Sequence, residues 1–246
     1  MNEIIEINAE SRKMAEEILE KNGLKRFNYL IPQFYSFAKL LLEENEKHNL
    51  TALRRIDDVW VRHFADSLLF ADMFEGEHRT VIDVGCGGGF PSVPLALACK
   101  NLKVTAMDST KKKTDFVADA AEKLGLSNYS ALCARAEEAG KNKVYRERYD
   151  IATARAVAAL PALAEYCLPL VKVGGVFLSY KGKDSEAECA AAEPMIANLG
   201  GKIEKIERRI LTDENGEEME RALIVVRKLR NTPSVFPRRN SVIMKK

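Results

Sequence analysis

Asp83-Val84-Gly85-Cys86-Gly87-Gly88-Gly89-Phe90-Pro91 runs out of an apolar stretch that begins at Thr80, and an acidic Asp108 closes the next apolar run. Glycine lets a backbone leave a strand sharply and approach a ligand without a Cβ in the way, and here it recurs at alternate positions. The free N–H groups at the start of the helix that follows can then meet a polar or anionic ligand group. A dinucleotide fingerprint, G-x-G-x-x-G, starting at Gly85 would require glycine at position 90, where Phe90 stands. The D-x-G-x-G-x-G spacing with an acid ending the second strand suits S-adenosylmethionine instead. That molecule has a cationic sulfonium, an amino-acid end and a ribose diol that can donate hydrogen bonds to Asp108. The plain alternative is a glycine-rich loop without a ligand, in which Asp83 only orients the turn and Phe90 belongs to the core; Asp108 in register argues against it.

Outward from the loop, short apolar runs at 80–85, 103–108, 129–134, 149–153 and 175–181 alternate with helical stretches. Strands separated by helices require right-handed crossovers, which predicts a parallel sheet covered on both faces, with its ligand at the carboxyl ends of the strands. Runs at 203–211 and 221–229, joined by a turn-rich 212–217, predict a closing antiparallel hairpin. The fold class expected is therefore α/β: a class I S-adenosylmethionine-dependent methyltransferase, Rossmann-like, with a mostly parallel seven-stranded sheet ending in an antiparallel hairpin.

Upstream, apolar residues recur at helical spacing through Phe27, Leu30, Ile31, Phe34, Phe37, Ala38 and Leu41, and again through Val59, Trp60, His63, Phe64, Ser67 and Leu68, with Asp57 as an expected N-cap. The organisation predicted is a helical extension over 1–78 packed on the core, the sheet domain over 79–230, and a basic, proline-containing extended arm over 231–246.

The chain has 246 residues, 46% of them hydrophobic, and a formal net charge of +2 that is unevenly spread. Residues 227–246 contain seven basic side chains and no acidic one, whereas 1–79 contain eleven basic and fifteen acidic ones. A polyanion would be felt first at the tail, although a solubilising terminus has the same composition. The five cysteines include no C-x-x-C pair, and His48, His63 and His78 lie fifteen residues apart, so neither a disulfide frame nor a metal site is expected. With no leader-like start over 1–10 and no run of 18 apolar residues, the expected location is the cytoplasm, with no membrane partner.

The joint order of several motifs resembles the bacterial glucose-inhibited division protein B family of small-subunit ribosomal RNA guanine-N7 methyltransferases. It rests on H-N-L-T-A-L at 48–53, H-F-A-D-S-L at 63–68, D-V-G-C-G-G-G-F-P-S-V-P-L-A at 83–96 and M-D-S-T-K-K-K at 107–113. It continues through R-A-E-E at 135–138, D-I-A-T-A-R-A-V at 150–157, L-P-L-V-K-V-G-G at 168–175, Y-K-G at 180–182 and F-P-R-R at 236–239. Ser92 departs from it, standing where the family usually has a second glycine after the F-P pair.

The resemblance implies a cofactor set of Asp83, Gly85, Gly87, Gly89, Phe90, Asp108 at the ribose, Ser109, Ala136 and Glu137 beside the adenine, and Arg155 at the cofactor and acceptor end. Arg155 is the residue implied to position the acceptor, because guanine N7 carries a free lone pair and needs no general base. His63, Asp66 and Ser67 are candidates for the acceptor pocket, and a plain polar cluster on a helix face is the alternative. Lys111, Lys112, Lys113, Lys181, Lys183, Arg238 and Arg239 are candidate contacts to 16S ribosomal RNA or the small ribosomal subunit particle, against the alternative of a solvated charged face. A monomer is expected. Rival functions are a small-molecule methyltransferase and a noncatalytic RNA-binding assembly factor; Phe90 disfavours a nicotinamide-dependent oxidoreductase.

Overall fold

A computed structural model describes residues 7–244, so the start of the chain and the last two tail lysines, Lys245 and Lys246, lie outside the described residues. Five parallel strands alternate with helices: β1 (Arg79–Val84), β2 (Leu102–Asp108), β3 (Tyr129–Cys133), β4 (Tyr149–Arg155) and β5 (Val171–Lys181). The antiparallel pair β6 (Gly201–Thr212) and β7 (Glu218–Lys228) follows, and the spatial order is β3-β2-β1-β4-β5-β7-β6. This is the expected mixed seven-stranded sheet.

β5 begins at Val171, earlier than the apolar run suggests. The pairing Tyr149↔Val171 is followed by a register shift before Ile151↔Val176, and Gly174, with φ of +87°, sits in the interruption. A bulge absorbs residues that a strict alternation would reject.

Successive side chains of the sheet point to opposite faces. Val81, Leu178, Leu223 and Val225 enter one core, whereas Ile82, Phe177, Ile224 and Val226 enter the other. The second core is closed by α8 (Leu160–Cys167) and α9 (Ser185–Asn198) through Leu160, Leu163, Ala192 and Ile196. The first is closed by α5 (Ser92–Ala98), α6 (Lys111–Lys123) and the N-terminal helices.

Those N-terminal helices are α1 (Ala9–Lys21), α2 (Ile31–His48), α3 (Ile56–Val59) and α4 (Asp66–Leu68), with a π-helical segment, Trp60–Ala65, joining the last two. Arg55 is the N-cap of α3, and Asp57 is one of two acids in its first turn rather than the cap. Helix and sheet share one core. Phe34 stacks on Phe64 with ring centroids 4.8 Å apart, and Phe37 reaches Phe90 of the glycine loop at 5.3 Å. A Cβ on Gly89, which has φ of +93°, would come within 3.1 Å of the Phe37 ring. That glycine admits the N-terminal helices to the loop.

The C-terminal segment is not a free arm. Arg146 donates to the carbonyls of Gly140, Thr232, Pro233 and Phe236. Lys228, fully buried, donates to the Leu168 carbonyl and the Thr232 hydroxyl and pairs with Glu147 at 3.3 Å. Arg238 meets the buried Glu165 carboxylate through its backbone N–H and its guanidinium. Pro237 packs so closely on Gly140 that a Cβ there would meet it at 2.9 Å. The arm returns to the body and ends in α10 (Asn240–Ile243). Sequence composition shows the charges but not the buried carboxylate that answers one of them.

Candidate functional site

At the carboxyl ends of β1 to β4 lies a cleft of about 360 Å³, within the range of small-molecule sites. Gly85, Asp108, Ser109, Ala136 and Glu137 line it, together with Val157, Tyr166 and Asn240. Ala136 and Glu137 belong to α7 (Ala136–Ala139).

Gly85 leaves β1 with φ of +78°, and a Cβ on it would stand 2.6 Å from Val157. Gly87 has φ of +55° and nothing within 4 Å of an added Cβ, so its backbone borders open space. The Asp108 carboxylate accepts from the N–H of Gly87 at 3.2 Å and of Thr110 at 2.9 Å, and Lys113 stands 3.9 Å away. These contacts fix an anion at the end of β2.

Asp83 lies below the loop, fully buried, with neither carboxylate oxygen in well-formed hydrogen-bond geometry, although the hydroxyl and backbone N–H of Ser92 lie close enough to act on it. Burial pushes its carboxyl up to about 7, against the opposite pull of these two Ser92 donors and the Arg155 charge. The hydroxyl of Ser92 is itself 3.1 Å from that of Tyr129. A buried carboxylate so weakly partnered is the arrangement that a nearby cation completes.

Phe90 and Arg155 do not line the cleft. They belong to a second cluster beside it, which the π-helical segment brings together with His63 and Asp66. The His63 ring stacks on Phe90 with centroids 4.2 Å apart, and the Arg155 guanidinium lies 5.5 Å from the centre of the same ring. Arg155 donates to Asp66 at 2.7 Å and to the Arg62 carbonyl at 3.1 Å. Arg221 from β7 donates to the other oxygen of Asp66 at 2.6 Å. Ser67 is buried, with its hydroxyl unpartnered and its carbonyl accepting from the Tyr180 hydroxyl.

His63 is held at both ring nitrogens. Nδ1 lies 3.1 Å from a guanidinium nitrogen of Arg155 and 3.0 Å from the Arg62 carbonyl, and Nε2 lies 2.8 Å from the Thr51 hydroxyl, which can donate or accept. Burial and the Arg155 charge lower the His63 pKa to about 4. The ring should therefore titrate near pH 4 in an NMR titration; a midpoint near 6.5 would contradict the assignment. Because the unfolded chain takes up this proton first, the stability His63 contributes is complete above about pH 6.5 and is lost as pH falls through about 4.

A family model described as rRNA small subunit methyltransferase G matches residues 30–215. The chain belongs to that family. It is 42% identical over 232 residues to the ribosomal RNA small subunit methyltransferase G of Lactobacillus johnsonii, covering 93% of this chain and 95% of that one. It is 45% identical over 224 residues to the protein of the same name from an Exiguobacterium, covering 91% and 93%. Among solved structures, the fold is shared with M. jannaschii TYW2 in complex with AdoMet, at a TM-score of 0.52 and 15% identity over 67% of this chain and 77% of that one. It is shared likewise with the antibiotic-resistance methyltransferase Kmr, at 0.51 and 16% over 68% and 94%.

The candidate RNA-facing cations divide into free and engaged ones. Lys112, Lys183 and Arg239 are exposed with no ion-pair partner among the described residues. Lys111 pairs with Asp115 at 2.7 Å on the surface. Lys181 is largely buried; it donates to the Ala158 carbonyl at 3.0 Å and to Glu188 at 2.6 Å, and Glu188 also accepts from the Leu160 N–H. Lys181 thus braces the segment that carries Val157 and is not presented to solvent. Arg238 is committed to Glu165.

Thr51, Arg221, Tyr166 and Asn240 were not singled out from the sequence. Thr51 lies inside the H-N-L-T-A-L stretch, which was a usable signal. The other three sit in ordinary strand, helix or tail sequence. Among the described residues, no helix is long and apolar enough to cross a membrane and no cluster could hold a metal ion.

Proposed function

We propose that this chain transfers the methyl group of S-adenosylmethionine to N7 of a guanine in 16S ribosomal RNA. Membership of the rRNA small subunit methyltransferase G family supports the RNA substrate and the reaction class. The observation that carries the cofactor is the pairing of a backbone-held Asp108 in the cleft with a buried, weakly partnered Asp83 beneath the glycine loop. One carboxylate suits a ribose diol and the other a cationic donor.

The donor supplies a methyl group activated on a positively charged sulfur. Gly85 and Gly87 give its body room to lie against the backbone; Asp108 and α7 orient the nucleoside. On the acceptor side, His63 is neutral, so Arg155, Asp66 and Arg221 together leave one net positive charge. That suits the guanine O6 or an RNA phosphate. Transfer of that methyl to the N7 lone pair, with the S–C bonding electrons left on sulfur, would take up and release no proton, so none of these residues would have to act as a base. Alignment of the three atoms is then the main task of the site, worth roughly 7–11 kcal/mol where it is good.

Incubation of the protein with methyl-labelled donor and small ribosomal subunits lacking the mark tests this. Label recovered as 7-methylguanine from 16S RNA is the expected result. RNA binding with no transfer to any ribosomal RNA would favour the noncatalytic assembly factor, and absence of salt-dependent RNA affinity would favour a small-molecule methyltransferase.

Asp83 adds a pH signature. Its folded value lies above its ordinary value of 3.8, so ionised Asp83 opposes folding and stability falls as pH rises from about 4 to about 7. A cationic donor favours the ionised form, so affinity for S-adenosylmethionine should rise with pH up to about 7 and level off above it. Proton release below pH 7, seen by calorimetry in buffers of different ionisation heat, checks this. Asp83→Asn should bind more weakly and without that dependence.

A further inference from the structure

The docked C-terminal segment brings a residue into the cleft that neither the loop motifs nor the family-matched stretch over 30–215 includes. Asn240 lines the same cleft as Asp108, Ala136 and Glu137. Its side-chain carbonyl accepts from the Tyr166 hydroxyl at the end of α8. Helices α7 and α8 pack side by side, and the Glu137 charge acts on the Tyr166 phenol. Just upstream, Arg238 is clamped on the buried Glu165, the residue before Tyr166. Consecutive residues of α8 thus hold the tail at two points, and the second of them is at the cleft.

We propose that the C-terminal segment forms part of the nucleoside site and that Asn240 hydrogen-bonds the edge of the adenine. The inference rests on the reading of this cleft as the S-adenosylmethionine site. A side-chain amide carries a donor and an acceptor in one plane, which matches the amino group and neighbouring ring nitrogen of adenine. The phenol occupies one lone pair of the Asn240 carbonyl. The second lone pair and the amide hydrogens remain for the base. Tyr166 is then a positioning residue that fixes the amide plane, and the Arg238–Glu165 pair is an anchor for the tail rather than an RNA contact.

Calorimetric titration of the full chain with S-adenosylhomocysteine and with its hypoxanthine counterpart, S-inosylhomocysteine, tests the assignment by binding alone. The second probe replaces the amino donor by a carbonyl and protonates the adjacent nitrogen. Wild type should prefer the adenine form. Asn240→Ala should weaken S-adenosylhomocysteine about five- to tenfold, the scale of one or two hydrogen bonds, and narrow the preference between the probes. An unchanged affinity and preference would overturn the proposal while leaving the cleft reading intact, as the wild type would still bind. Equal weakening for both probes would also overturn it, since Asn240 would then only prop the wall. Failure of the wild type to bind either probe would overturn the cleft reading itself, and the proposal with it.

Discussion

Gly85→Asp should reduce affinity for S-adenosylmethionine by at least about a hundredfold while leaving RNA affinity within about twofold of wild type. Three effects act together. Gly85 adopts φ of +78°, a region costing an ordinary side chain roughly 1–2 kcal/mol. Its Cβ would overlap Val157 at 2.6 Å, so the segment after β4 must move and the cleft wall with it. The added carboxylate would also sit beside the cleft that already contains Asp108 and above the buried Asp83, where a third negative charge is unfavourable. Calorimetry with the donor and filter binding with 16S RNA give the two readouts. Donor affinity close to wild type would mean that the glycine loop is not the donor site. Thermal melting of the variant separates loss of the site from loss of the fold.

Arg155→Ala should lower the rate of methyl transfer by about 10²–10³-fold with donor affinity changed less than about threefold. The guanidinium faces the cluster of Phe90, His63 and Asp66 and does not line the cleft, so the acceptor side should suffer and the donor side should not. Loss of one preorganised donor at a reacting group costs rates of this order in other enzymes. Asp66 retains Arg221 at 2.6 Å in the variant, which protects the fold from the full penalty of an unpaired buried carboxylate. Arg155→Lys should recover only part of the rate, because an ammonium cannot reach Asp66, the Arg62 carbonyl and the His63 ring nitrogen at once. Single-turnover transfer beside donor titrations checks the split. A large fall in donor affinity would return Arg155 to the cofactor side.

The sheet, its hairpin and the loop glycines were legible because each leaves a local trace. The short apolar run at 80–85 follows from a strand buried on both faces, and glycine at 85 and 87 follows from backbone angles that other residues resist. Gly89 leaves a local trace in its positive φ, but the Phe37 ring beside it belongs to a helix more than forty residues upstream, and no local pattern shows that neighbour. The basic residues were the least legible. Lys181 and Arg238 look like Lys112 and Arg239 in the sequence, and only the half-buried Glu188 and the buried Glu165 that folding brings beside them separate engaged cations from free ones.

By its own residues the chain determined an α/β sheet, a cleft at the carboxyl ends of its strands, and the acid at the end of β2, since periodicity and turn geometry act over a few neighbours. Tertiary structure alone decided the composition of the site around that acid. Asp66 meets Arg221 across 155 residues and Tyr166 meets Asn240 across 74. Such partners are selected by the packing of whole elements, and no spacing in the sequence encodes which side chains that packing brings within hydrogen-bond reach.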